Sequence, residues 1–125
     1  MKIPLYECGV GWHYKIDHLV NTLCNLPYDV YILQIKEKFG RFDINWSLED
    51  WDNQEEVENI IREFKERIDL TCENCGSEDR VCIHRFSFWL KALCKKCRTL
   101  KNIEEEAIET FIRSEAINSE NRNLH

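Results

Sequence analysis

The chain has 125 residues, 43% of them hydrophobic, and a formal net charge of −6. This length indicates one domain, or one domain carrying a metal-bound appendage, with a single modest core. No apolar run is long enough to cross a bilayer or to act as a signal peptide. Because the chain contains seven cysteines and no export signal, the sequence predicts a reducing, cytoplasmic setting and no membrane partner.

A first amphipathic helix is predicted from about Trp12 or Lys15 to Leu26. Its apolar residues recur at i, i+3, i+4, i+7 and i+8, which places them on one buried stripe. Cys24 belongs to this stripe and is therefore expected in the core. Pro27 disfavours helical geometry at the residue before it and ends the helix.

A β-hairpin is predicted after the first helix. Asp29–Phe39 is the first strand, Gly40-Arg41 the expected tip and Phe42–Trp46 the return strand. Strict alternation places the odd-numbered apolar residues of the first strand on one face and the even-numbered ones on the other. Since both sets are apolar in the first half, we expect a central strand there that is near the core on both faces. The odd-numbered set comprises Tyr31, Leu33, Ile35 and Phe39.

A second helix is predicted from about Asn53 to Asp69. Asp52, followed three residues later by Glu55, is typical of a capping box. The glutamate-rich face is interpreted as the solvated side of the helix rather than as a catalytic or cation-binding group. The buried stripe is expected to contain Val57, Ile60, Ile61, Phe64 and Ile68.

The clearest motif is a pair of C-x-x-C sequences separated by eighteen residues. Cys72 and Cys75 form the first pair, and Cys94 and Cys97 form the second. Two residues between thiolates let a tight turn direct both sulfurs to one point, and two such turns complete a tetrahedron of soft ligands suited to Zn²⁺. The alternatives are two unrelated pairs of buried cysteines or a redox disulfide. Four cysteine ligands leave no open coordination position, so a structural zinc ion is favoured over a catalytic one.

Further elements are predicted around these cysteines. Arg80–Phe88 and Trp89–Leu93 are expected to form paired strands. Asn102 with Glu105 is expected to cap a last helix at about residues 103–117.

The predicted elements define an α+β fold in three parts. Residues 1–70 form a body of helix, hairpin and helix, and residues 71–101 form a zinc ribbon. Residues 102–125 form a C-terminal helix with a frayed tail.

The remaining cysteines and the histidines carry no complete second motif. Cys82 lies in a predicted strand and is expected to be packed. Cys8 and His13 could form half of a second metal site only if His18 or His84 were brought alongside. No cysteine, histidine and aspartate in the sequence are spaced as a catalytic nucleophile and its base would be. The sequence also contains no phosphate-binding glycine loop and no metalloprotease motif, so nothing in it supports enzymatic activity.

The ribbon is a basic island in an acidic chain. It carries +4, whereas the residues before it carry −6 and those after it −4. Four thiolates and one Zn²⁺ would together add −2, leaving the folded ribbon at about +2. Lys95, Lys96 and Arg98 surround the second cysteine pair, where they either balance thiolate charge or contact a phosphate or an acidic partner.

Aromatic residues lie close to these basic residues. Phe86, Phe88 and Trp89 are expected either to pack in the core or to form a stacking platform for single-stranded nucleic acid.

Four short segments together form a distinctive sequence pattern: Gly11-Trp12, Gln34–Gly40 (QIKEKFG), Cys72–Gly76 (CENCG) and Trp89–Cys94 (WLKALC). This combination resembles a family of small, uncharacterised proteins found in bacteria and in phages or prophages. The resemblance implies the same order of elements, a zinc site and a mobile-element origin, and it implies no reaction. The chain departs from the family pattern at Arg41-Phe42-Asp43, where a second glycine followed by Leu-Arg is usual, and it has no glycine before Trp89.

Lys36, Glu37 and Lys38 lie at the end of the first strand. They are either a recognition edge or charges that protect an exposed strand. We expect a small non-enzymatic interaction or regulatory protein with one structural Zn²⁺, and the resemblance extends this to a phage or prophage accessory protein acting on a host protein. The alternative is a nucleic-acid-binding zinc ribbon.

Overall fold

The computed structural model describes residues 2–86 and 89–102 and has the α+β architecture predicted from the sequence. The predicted terminal helix at residues 103–117 and the tail after it lie outside the described residues. Short 3-10 turns at Val10–Trp12 and Trp51–Asn53 each precede an α-helix. The helices and strands are β1 (Tyr6–Glu7), α1 (His13–Cys24), β2 (Val30–Lys38), β3 (Arg41–Leu48), α2 (Gln54–Asp69), β4 (Cys82–Phe86), β5 (Trp89–Leu93) and α3 (Lys95–Asn102).

β2 is the central strand of the larger sheet, whose order is β1-β2-β3. β3 pairs with β2 in antiparallel fashion, whereas β1 pairs with it in parallel, opposite Ile35 and Lys36. A parallel pair needs a crossover connection, and α1 provides it. The second sheet is the antiparallel β4–β5 pair, which confirms the strand pairing predicted within the ribbon.

A β-bulge in β2 changes which side chains face the core. The register with β3 shifts between Ile32 and Gln34, so that Leu33 is the extra residue. Ile32 before the bulge and Ile35 after it are both buried, whereas Tyr31 and Leu33 are exposed. The predicted common face for Tyr31, Leu33 and Ile35 is therefore wrong, because an extra residue breaks the two-residue period.

The β2–β3 turn consists of Phe39 and Gly40, one residue earlier than predicted. Both residues have positive φ, at 55° and 81°, and Lys38 pairs with Arg41 across the turn. Two positive φ values are typical of a type I′ turn, in which glycine is favourable and phenylalanine is strained. A Cβ on Gly40 would also lie 3.1 Å from Ile83, so the turn packs closely against the ribbon.

Replacing Phe39 by asparagine is expected to stabilise the protein. Phe39 is 68% exposed, so the change removes little burial, while asparagine tolerates the left-handed backbone that the turn requires. We expect the free energy of unfolding to rise by about 0.5 to 1 kcal/mol, measured by urea denaturation. Phe39→Leu is the control, because leucine retains the backbone strain. An equal gain in both variants would contradict the explanation.

The hydrophobic core is continuous between the body and the ribbon. Trp12 is fully buried, and its ring lies 6.2 Å from that of Phe42 in an edge-on arrangement. The cluster around these rings also contains Cys72, Ala92 and Leu93 of the ribbon. The two segments therefore bury apolar surface against each other. The stripe predicted for α2 faces the core: Val57, Ile61 and Ile68 are buried as predicted, whereas Ile60 and Phe64 are only partly buried and pack against the cluster.

Cys24 is exposed, which corrects its predicted place in the core. It is the last residue of α1 and follows the buried Leu23. Successive helical residues are rotated by about 100°, so Cys24 lies at the margin of the arc that Ile16, Leu19 and Leu23 define. Cys82, by contrast, is buried as predicted.

The capping box predicted for the second helix is absent from the described residues. Asn53 precedes α2 and makes no capping hydrogen bond with its side chain. Asp52 lies inside the preceding 3-10 turn, and its backbone N–H donates to the carboxylate of Asp50 at 2.9 Å. Asp50 is therefore the capping residue, and it caps the 3-10 turn.

An unpredicted helix, α3, begins in the second cysteine pair. α3 starts at Lys95, and the backbone N–H of Arg98 donates to the carbonyl of Cys94 at 2.9 Å. Asn102 is the last described residue of α3, and the helix that it was predicted to cap lies outside the described residues.

Candidate metal centre

The first cysteine pair occupies a tight turn directly after α2. The backbone N–H of Gly76 donates to the carbonyl of Cys72 at 2.9 Å, and the N–H of Cys75 points at the sulfur of Cys72 at 3.5 Å. Gly76 has a φ of 86°, a left-handed conformation that favours glycine. The N–H of Cys72 donates to Ser77 at 2.7 Å and closes the turn.

The second cysteine pair spans the end of β5 and the first turn of α3. Cys94 directly follows β5, and Cys97 is the third residue of α3. The side-chain amide of Asn74 donates to the sulfur of Cys97 at 3.3 Å, which links the two turns. The β4–β5 pair thus carries the second turn to the first.

The four sulfurs converge on one point. Their Sγ atoms all lie within 4.8 Å of one another, and those of Cys75 and Cys94 are 3.7 Å apart. Metal–sulfur distances of about 2.3 Å in a tetrahedral site would separate the sulfurs by about 3.8 Å. Cys75 is exposed, whereas the other three cysteines are buried. The cluster could therefore hold a metal ion at the surface of the shared core.

The ionisation of these thiols favours a bound cation. Burial raises the pKa of Cys97 to about 12, although the amide of Asn74 opposes the shift. Burial acts in the same direction on Cys94, but the backbone N–H of Cys97 and the neighbouring thiols lower its pKa to about 7. Four adjacent thiols cannot all lose their protons without a positive charge among them. A divalent cation supplies that charge, so metal binding and deprotonation are linked.

A glycine-containing loop near the N-terminus closes over the first cysteine turn. The backbone N–H of Gly11 donates to the carbonyl of Glu73 at 2.8 Å, and that of Gly9 donates to the Glu73 carboxylate at 2.7 Å. A Cβ on Gly11 would lie 2.3 Å from the carbonyl oxygen of Cys72 and 2.6 Å from the backbone nitrogen of Gly76. Glycine is required here because two backbones are in contact.

Residues after the loop extend the same contact. The indole N–H of Trp12 donates to the carbonyl of Thr71 at 2.8 Å, and the hydroxyl of Tyr14 donates to Gly76 at 3.1 Å. Lys15 donates to the hydroxyl of Thr71 at 2.7 Å. The start of α1 is thus fastened to both ends of the first cysteine turn.

Glu73 is a buried carboxylate between two of the cysteines. It is 1% exposed, and its Oε2 atom accepts from Lys91 at 3.2 Å as well as from Gly9. Burial raises the pKa of Glu73, and the Gly9 N–H and the Lys91 ammonium oppose that shift. Its carboxylate therefore joins the N-terminal loop, the first cysteine turn and β5.

The docking of the N-terminal loop was not predicted from the sequence. The residues that make it were visible in two of the segments behind the family resemblance, Gly11-Trp12 and Cys72–Gly76. The feature that could have indicated this contact is the G-x-G-W sequence at residues 9–12, whose two glycines do not belong to the hairpin turn.

A second metal site at Cys8 is not formed by the described residues. Among them, the cysteine cluster is the one group of three or more ligand side chains close enough to share an ion. His13 lies edge-on to Tyr6 at 5.1 Å, His18 is exposed on α1, and His84 is buried in β4.

The basic residues near the second cysteine pair have different environments. Lys95 and Lys96 are exposed. Arg98 instead turns inward, where its guanidinium donates to the carbonyl of Leu93 at 2.9 Å and to that of Arg80. Its described contacts are therefore with backbone carbonyls, and they hold the ribbon together.

The three charged residues at the end of β2, Lys36, Glu37 and Lys38, also differ in exposure. Lys36 and Glu37 are half-buried, and Lys38 is exposed. The carboxylate of Glu37 accepts from the backbone N–H of Gly40 at 2.7 Å, so Glu37 supports the hairpin turn.

Comparison with protein-family models, with curated proteins and with solved structures found no match to this chain. The family resemblance noted in the sequence therefore stays a hypothesis. None of the described helices is both long and apolar enough to span a membrane.

Cys8 is expected to resist alkylation in the folded protein. Burial and the nearby Glu73 carboxylate raise the pKa of Cys8 to about 12, with Lys91 opposing the shift. Since the thiolate is the nucleophile, iodoacetamide at pH 8 should modify Cys8 at least about a hundredfold more slowly in the folded protein than in urea. Peptide mass spectrometry would measure both rates. Cys24 is exposed and is the internal control; equal rates for Cys8 and Cys24 in the folded protein would contradict this expectation.

Proposed function

We propose that this protein binds one structural Zn²⁺ through Cys72, Cys75, Cys94 and Cys97, and that it acts by binding another protein. The observation that carries the first part is the convergence of four sulfurs within 4.8 Å. Four thiolates in a tetrahedral arrangement are typical of structural zinc sites, and they leave no coordination position for water or substrate. The zinc ion would then hold together the ribbon, the end of α2 and the N-terminal loop.

The proposed partner is a protein because large apolar side chains are exposed. Leu33 is 62% exposed and Trp51 is 78% exposed. Trp51 is an aromatic side chain of the kind that often supplies most of the binding energy at protein interfaces, and Leu33 adds apolar surface that a partner could cover. We favour this role over nucleic-acid binding, since Arg98 is engaged within the ribbon and the chain is acidic overall.

The surface best suited to a protein partner is the outer edge of β2. β1 covers that edge opposite Ile35 and Lys36, and no strand in the described part of the chain pairs with residues 30–34 there. A recess of about 540 Å³ adjoins this edge, and its lining includes Pro4, Tyr31 and Leu33. An extended segment of the partner could pair with the unoccupied backbone groups and place an apolar side chain in the recess. The bacterial or phage setting implied by the sequence resemblance suggests a host protein as that partner.

The metal assignment is tested by the composition and the spectrum of the purified protein. We expect one zinc ion per chain by elemental mass spectrometry. Substitution with Co²⁺ should give the intense visible bands of a tetrahedral tetrathiolate complex, and Cys97→Ser should weaken them. A different resident metal, or a cobalt spectrum typical of six-coordination, would overturn the assignment.

The partner assignment is tested by affinity capture from host lysate with the zinc-loaded protein, with and without nuclease. We expect a specific protein in both arms, and we expect Leu33→Glu to lose it. Leu100→Glu is the matched control, because Leu100 is 57% exposed on α3. Material lost after nuclease treatment would favour the nucleic-acid alternative. Equal losses in the two variants would remove the β2 edge as the binding surface.

A further inference from the structure

A second concave site lies between the two long helices. This recess has a volume of about 220 Å³ and is lined by Tyr14, Lys15 and His18 of α1 and by Phe64 and Arg67 of α2. It is separate from the recess at the β2 edge and contains none of the cysteines. Its described lining combines three basic side chains with two aromatic rings and contains no carboxylate, although the chain as a whole is acidic.

Two of the basic side chains have hydrogen-bonding capacity to spare. Within the described residues, neither the guanidinium of Arg67 nor the imidazole of His18 makes a hydrogen bond or an ion pair with a side chain. Arg67 is nevertheless held in place, because its guanidinium lies over the Phe64 ring at 4.5 Å from the ring centre. A guanidinium positioned in this way offers its N–H groups in a fixed plane, which suits the paired oxygens of a carboxylate or a phosphate.

The third basic side chain has a partner that a ligand could replace. The side chain of Lys15 is 15% exposed, and its ammonium contacts Thr71 and Glu78. The Glu78 side chain is 63% exposed, so this ion pair is open to solvent on one side. Ion pairs of this kind contribute little to stability, and an oxyanion in the recess could compete for the same ammonium.

The volume sets the size of the ligand. A cavity of about 150 Å³ accommodates benzene. The recess is larger than this, and its apolar lining is aromatic, so there is room for one ring with an attached anionic group.

We propose that this recess binds a small aromatic oxyanion, a single ring carrying a carboxylate or a phosphate group. Arg67 and Lys15 contact the oxygens, His18 supplies a further donor, and Tyr14 and Phe64 contact the ring. The proposal is independent of the identity of the protein partner. It uses the metal-loaded protein because Lys15 also contacts the residue next to the first cysteine.

The proposal is tested by NMR titration of the isotope-labelled, zinc-loaded protein with phenyl phosphate and, separately, with benzoate. We expect saturable amide shifts centred on residues 14–18 and 64–67. The ligand with the lower dissociation constant shows whether the recess prefers a phosphate or a carboxylate group. Benzyl alcohol tests the ring without the charge, and sodium chloride at matched ionic strength tests the charge without the ring; neither should reproduce the shifts.

Matched variants separate this site from general charge effects. Arg67→Gln should weaken binding about tenfold, as expected for loss of a charge-assisted hydrogen bond. Arg62→Gln removes the same charge from an exposed position on the same helix and should leave binding unchanged. Glu78→Gln should tighten binding about twofold to fivefold by releasing Lys15, whereas Glu55→Gln should not.

Three results would overturn the proposal. The first is the absence of saturable shifts with either ligand. The second is equal shifts with sodium chloride or benzyl alcohol. The third is equal weakening by Arg67→Gln and Arg62→Gln while both variants retain native spectra outside the recess.

Discussion

Removing the metal is expected to abolish the cooperative unfolding transition of the whole protein. Binding of a structural zinc ion contributes about 10 to 16 kcal/mol in small zinc domains, whereas a domain of ordinary stability unfolds at a cost of about 5 to 15 kcal/mol. The cluster belongs to the same core as Trp12 and Leu93, so its loss would reach both segments. Circular dichroism during heating, with a chelator and then with zinc restored, would measure the effect.

Two cysteine variants serve as the test and the control for this experiment. Cys72→Ser should behave like the chelated protein even when zinc is present in excess. Cys24→Ser should melt like the unaltered chain, because Cys24 is exposed and lies outside the cluster. An unchanged melting temperature after complete removal of the metal would refute the structural role.

Replacing Gly11 by alanine is expected to have the second-largest effect. The added methyl group would lie 2.3 Å from the carbonyl oxygen of Cys72, 2.6 Å from the nitrogen of Gly76 and 2.7 Å from the carbonyl carbon of Glu73. All three atoms are backbone, so the strain cannot be relieved by rotating a side chain. We expect the free energy of unfolding to fall by about 3 kcal/mol, measured by urea denaturation of the zinc-loaded protein.

The same variant should release its metal more readily, because the strained backbone includes one of the ligands. Competition with a chromophoric chelator would measure this loss. Val10→Ala is the matched control, since Val10 is the adjacent residue and is 69% exposed. If both variants have the same unfolding midpoint, the close approach of the loop does not stabilise the fold.

Features set by local patterns could be predicted from the sequence. The spacing of the cysteines identified all four residues of the cluster, because a C-x-x-C turn needs information from only a few neighbouring residues. The helical stripes of α1 and α2 followed from a period that repeats over several turns. The hairpin followed from alternation and a glycine, although the turn itself lies one residue earlier.

Features set by tertiary contacts could not be predicted in this way. The bulge at Leu33 moves Ile35 to the opposite face of β2 from the one that strict alternation predicts. One extra residue in a strand does not change the amino-acid pattern in a way that can be recognised from the sequence. Cys24 fits the helical period but lies where α1 ends, beyond its packed surface. The contact of Gly11 with Glu73 joins residues that are far apart in sequence, and no local pattern reports it.

The N-terminal loop also constrains when the fold can be completed during synthesis. Gly9 and its partner Glu73 are separated by 64 positions, so the loop has nothing to close on until most of the chain has left the ribosome. Contacts between distant residues form slowly because the intervening chain must first be ordered. The second cysteine pair emerges later still. With the metal site proposed above, metal uptake would be a late event, and until it occurred a nascent chain would expose Trp12 and the apolar face of the first helix to chaperones and proteases.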